Sequence, residues 1–151
     1  MMFAFRLLFP VLLLFPFVQG SAPDFVRWSA EHLSQRDTAL SMRMRPDHSA
    51  RETLADYNNP SGAHRFRFIR RDADGVPEQH VGIEDVVFIQ SGEGTIVVGG
   101  KMIGENGTNG EYTGTEIQDG RRYAVAAGDV LHLPADVPHR YLVPELSLIH
   151  I

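Results

Sequence analysis

The sequence predicts an all-β domain, a sandwich or barrel of short strands, preceded by a helical arm. Three observations lead there. Beyond about residue 62 the apolar residues alternate with polar ones, the runs are short, and glycine-rich turns separate them. Short strands at that spacing favour packed sheets over alternating β and α units. A chain of 151 residues has room for one domain and its own core. It contains no cysteine, so disulfides and thiolate chemistry are excluded, and any metal must rest on His, Asp or Glu.

Residues 1–20 read as a secretory signal peptide: one charge, Arg6, then an apolar run closing on Val18-Gln19-Gly20, with Ser21 as the expected mature start. The alternative, an uncleaved anchor, is weaker. The stretch from Leu7 to Val18 is broken by Pro10 and Pro16 and falls short of the roughly 20 residues a spanning helix needs. A secreted or periplasmic protein without a membrane segment after cleavage is expected. With 14 basic against 19 acidic residues the chain is net −5, and losing Arg6 makes it more acidic. That charge does not suit a nucleic-acid partner.

Residues 21–62 read as the arm. Asp24 can cap a helix on which Val26, Ala30, Leu33 and Leu40 recur at helical spacing. Ser49 and Glu52 have capping-box spacing ahead of Leu54 and Tyr57, which extends the helical reading to about Asn59. His32 and His48 are surface residues on this view. The cluster Asn58-Asn59-Pro60-Ser61-Gly62 marks the border with the strand-rich region, 63–145. There His64, Phe66 and Phe68 share one parity and Arg65 and Arg67 the other, the pattern of a strand with one buried face. Val86–Gln90, Thr95–Val98, Tyr123–Ala127 and Val130–Leu133 follow as apolar strands, with a tight glycine turn at Gly92-Glu93-Gly94. The polar, glycine-rich stretch from Gly104 to Gly120 reads as a long hairpin loop at the barrel rim. The last six residues, 146–151 (LSLIHI), resemble a translated sequencing adapter, so the natural chain is expected to continue past about Glu145.

Two segments carry the chemistry. Gly128–His139 (GDVLHLPADVPH) sets a Gly-Asp turn, a short apolar strand and two prolines ahead of His139. Fixed φ at Pro134 and Pro138 stiffens the bend, so His139 is aimed with little freedom. These twelve residues are similar to the second conserved motif of the cupin superfamily. The first cupin motif has its counterpart in Glu78-Gln79-His80, then Asp85, then VVFIQSGEG, which keeps the interval between the acid and Gly92. This sequence departs from the family at Glu78, which stands where the first histidine is usual, and at Asp85, or its neighbour Glu84, which stands for the usual glutamate. The resemblance spans roughly Arg65 to Leu142 and implies a single jelly-roll barrel whose interior holds one metal ion or one small ligand.

The site has a physical rationale of its own. Residues two apart on a strand share a face, so Glu78 and His80 project together. Asp85 opens the next strand with Val87 and Ile89 on its parity, and His139 arrives from the second segment. Two imidazoles with one or two carboxylates suit Fe, Mn, Ni or Zn, without choosing among them. The expected metal set is therefore His80, His139, Glu78 and Asp85. His132, His64, Glu84 and Arg140 are candidates for its surroundings, and Arg140 or Tyr141 for contact with an anionic ligand. Three function classes follow: a metal-dependent enzyme of dioxygenase or isomerase type acting on a small molecule, a metal-free module binding a sugar or carboxylate, or a structural barrel that serves as a dimerisation unit. Val86 and Phe88 have the parity opposite to Asp85, which leaves an apolar outer face and predicts a homodimer.

Overall fold

The computed structural model describes residues 25–59, 62–144 and 149–150. The leader read at 1–20, the Asp24 cap and most of the 146–151 tail lie outside them. One helix, α1 (Ala30–Ser41), precedes a long hairpin of β1 (Ser49–Asn59) and β2 (Gly62–Arg71). Short strands follow: β3 (Glu78–His80), β4 (Asp85–Phe88), β5 (Glu93–Val98), β6 (Lys101–Ile103), β7 (Asn106–Thr108), β8 (Glu111–Thr113), β9 (Glu116–Gln118), β10 (Arg121–Ala126), β11 (Val130–Leu133), β12 (His139–Leu142) and β13 (Ile149–His150). The all-β expectation holds at this level.

The strands pair antiparallel. A six-stranded sheet runs β10-β5-β12-β3-β8-β7, beside a three-stranded sheet β1-β2-β13 and the pairs β11-β4 and β6-β9. Neighbours in the large sheet are far apart in sequence, so it sets side chains from β3, β8 and β12 next to one another. Alternation along the strands builds the core. Val87 and Ile89 are buried together with Ile96, Val125, Leu133, Tyr141 and Val143. The opposite face of β4 is open, with Val86 62% and Phe88 59% exposed. Each fully buried aliphatic side chain here contributes roughly 1.5–3 kcal/mol relative to exposure. Gly92, at φ 79°, makes the expected turn into β5.

A second cluster joins Leu40, Ala50 and Phe68, flanked by Leu33, Met44 and Leu54, and fixes α1 on the hairpin. Ion pairs Arg36–Glu52 and Arg70–Asp37, the latter at 2.6 Å, border it.

Three sequence expectations are corrected. The helical reading to Asn59 holds only for Ala30–Ser41, with Ser29 as the N-cap accepting from the His32 amide at 3.2 Å. Ser49–Asn59 is strand, paired with β2 from Ser49↔Arg71 to Asn59↔Gly62. The capping-box spacing misled because the Glu52 carboxylate serves Arg36 and Arg43 instead of a helix N-terminus; cross-strand pairing overrides local preference. The breaker cluster at 58–62 is accordingly the end of a hairpin and not the border of the arm. The long hairpin loop expected at 104–120 carries strands of its own: β7 pairs with β8, and β9 pairs back with β6. Finally, the buried face expected of His64, Phe66 and Phe68 is buried only at Phe68, while Phe66 is 42% exposed, because α1 covers only the Arg71 end of the hairpin.

The turn into β1 is held by Asp47. Its Oδ1 accepts from the Ser49 amide at 3.1 Å and hydroxyl at 2.8 Å, and Arg51 reaches Oδ2 at 3.3 Å. Burial disfavours the charged carboxylate, but the Ser49 hydrogen bonds with Arg51 and Arg71 outweigh it and hold Asp47 below its ordinary 3.8. A lowered carboxylate adds stability above its unfolded pKa and loses it as pH falls through the folded value. Asp47→Asn should therefore cost about 1 kcal/mol at pH 7. The gap between variant and parent should close below pH 4, as read from urea midpoints across pH.

Candidate metal centre

β3 and β12 meet at a single register pair, Glu78↔His139. Glu78 and His80 project on one face of β3, as their spacing requires. Glu78, His80 and His139 each offer a donor atom, and all three atoms lie within 4.8 Å of one another. The two imidazole centroids are 5.3 Å apart. Asp85 joins them: its Oδ2 stands 3.6 Å from His80 Nε2 and 4.0 Å from His139 Nε2. Glu78, His80 and His139 thus form a group that could hold a metal ion, with Asp85 beside its two imidazoles.

The bend between the prolines produces this convergence. Asp136, at φ 64°, donates its amide to the His80 carbonyl at 2.9 Å and accepts from the Gly82 amide at 3.1 Å. The segment leading to His139 is thereby clamped to the end of β3.

Both imidazoles are oriented for ligation. His80 Nδ1 faces Glu111 Oε2 at 2.9 Å, and His139 Nδ1 faces the Val137 carbonyl at 3.2 Å. An Nδ1–H facing each of these oxygens is the tautomer that leaves Nε2, on the Asp85 side, as the nitrogen able to ligate. A second-ring-nitrogen partner of this kind fixes the tautomer and raises ligand basicity. Burial pushes His139, only 4% exposed, below its ordinary 6.5; the Val137 carbonyl, Glu78 and Asp85 oppose this, and burial wins. The imidazole is therefore neutral, as a ligand must be.

Glu78 has a second partner. Arg71, 3% exposed at the end of β2, reaches Glu78 Oε1 at 3.2 Å. Gly75 makes room for it, since a Cβ there would stand 2.7 Å from Arg71 Nη1. The guanidinium lies 5.8 Å from the centroid of the Tyr141 ring, which itself packs edge-on to His139. Burial, then Asp85 and Glu78, push Tyr141 up against the opposing effect of Arg71, so its hydroxyl remains a donor.

The remaining sequence candidates lie elsewhere. Glu84 pairs with His132 at 3.3 Å, both well exposed. His64 stacks on Tyr57 at 4.8 Å between centroids, near the far end of the hairpin. Arg140 donates to the Gly75 carbonyl at 2.7 Å and approaches Asp74 at 4.0 Å. Sequence reasoning missed Glu111 and Arg71. Glu111 sat in a stretch read as loop, and only the His80↔Glu111 register shows its place. Arg71 follows Arg65 and Arg67 on the parity read as facing water, and nothing local marks it as buried.

Two ligands at about 2.1 Å from one ion are at most about 4.2 Å apart, so the donors of Glu78, His80 and His139, within 4.8 Å of one another, could hold a metal ion after a small closure. Comparison of the chain with family models, curated proteins and solved structures finds no match.

Because Glu111 is half exposed and touches His80 through its carboxylate, Glu111→Ala should leave the fold intact. Cobalt(II) affinity should fall about tenfold or more, measured by competition with a chelating dye.

Proposed function

We propose that this is an exported, cupin-like protein with a jelly-roll barrel that binds one divalent transition metal through His80 and His139, with Asp85 and Glu78 supplying carboxylate oxygen. The convergence of Glu78, His80 and His139, from two segments almost sixty residues apart, carries the reading. Electrostatics supports it. Glu78, Asp85 and Glu111 surround two imidazoles with Arg71 as the cation in contact, so a divalent ion offsets the excess negative charge. Such an ion would supply a Lewis-acid or oxygen-activating centre for a small metabolite, the chemistry of a dioxygenase or isomerase.

A second reading is a metal-free module for a sugar or carboxylate. The Arg71–Glu78 pair favours it, because it already satisfies one of the Glu78 oxygens. Elemental analysis separates the two. The metal reading expects about one equivalent of metal per chain, reduced to trace by His80→Ala and by His139→Ala. A chain without metal, whose two variants match it in content and stability, would sink the metal reading.

The same proposal includes a homodimer through β4 and β11. Val86, Phe88 and Val130 form an apolar stripe there, each about 60% exposed, and α1 packs on the hairpin instead of covering it. Light scattering should give a dimer mass, and Phe88→Glu should give a monomer of unchanged metal content.

A further inference from the structure

Two buried polar atoms beside the metal cluster have no hydrogen-bond partner among the described residues: Tyr141 Oη and Arg71 Nε. Buried donors are nearly always paired, and each exception calls for a missing water or ligand. Leaving such a group unsatisfied costs roughly 1–3 kcal/mol. Tyr141 is 6% exposed and shares the His139 face of β12, two residues on. Its ring lies beside both Arg71 and His139.

Arg140, the other basic residue near this strand, is committed to Gly75 and Asp74.

We propose that Tyr141 and Arg71 form an anion subsite next to the metal, which receives the carboxylate of a small organic acid. The proposal rests on the metal reading and names the class of ligand that site takes. The Tyr141 hydroxyl donates to one carboxylate oxygen, and the unpartnered Nε–H of Arg71 donates to the other while its Nη2 holds Glu78.

The test uses cobalt(II)-loaded full-length protein with glycolate and, as the uncharged analogue, glycolamide. Glycolate is expected to shift the visible cobalt band and raise the melting temperature, with glycolamide at least tenfold weaker by calorimetry. Tyr141→Phe should keep the cobalt band and melt no lower than the free parent, yet bind glycolate at least tenfold more weakly. Arg71→Lys should weaken glycolate as well. Equal binding of glycolate and glycolamide, or a Tyr141→Phe variant that binds glycolate as the parent does, overturns the subsite. Absence of a cobalt band defeats the metal reading by itself. Calorimetry on the metal-free chain then decides the subsite: selective glycolate binding that Tyr141→Phe removes sustains it, and no such binding overturns it.

Discussion

The clamp between Asp136 and the end of β3 is the constraint on which the site depends. β12 is secured on one side by a four-pair ladder to β5, but it meets β3 at one register pair, His139↔Glu78. One such pair does not fix a three-residue strand. The Asp136 amide on the His80 carbonyl and the Gly82 amide on the Asp136 carboxylate supply the missing restraint, each worth about 1 kcal/mol. The prolines limit how far the bend relaxes. The backbone segments that carry His80 and His139 are thus held against each other.

The strand positions carrying alternating apolar residues were legible in the sequence. Val87 and Ile89 turned inward with Asp85, and Val86 and Phe88 outward, because period-two alternation is a direct record of which face is buried. His139 was legible for a different reason: Gly128, Pro134 and Pro138 restrict the chain around it. What was not legible depended on partners distant in sequence. Ser49–Asn59 has local features of a helix start, and only β2 makes it a strand. Glu111 lies in a polar stretch without alternation, and its role exists solely through the β3–β8 register. Arg71 shares its composition with the exposed arginines before it, and its burial follows from a glycine four residues later.

Those misses have a common physical origin. Charged residues acquire function from what neutralises or orients them, and such partners leave no periodicity behind. Hydrophobic residues, by contrast, repeat because a face must be covered along its whole length. The cluster around His80 therefore emerges from sequence as a set of ligands without their supports.

The hairpin also changes meaning once its strands are placed. Read as a cover for one face of the sheet, it would be separable from the chemistry. Yet β2 ends at Arg71, whose guanidinium is buried against Glu78 and Tyr141. The position of that arginine is fixed by the pairing Ser49↔Arg71, by the Asp47 turn that starts β1, and by α1 packing on Phe68 three residues before it. Displacing the hairpin would withdraw the cation that balances Glu78 and leave a partly buried carboxylate without its partner, which is costly in a low-dielectric place. The helix and hairpin are thus coupled energetically to the cluster through one residue, and the outer layer belongs to the site as much as the strands that carry the histidines.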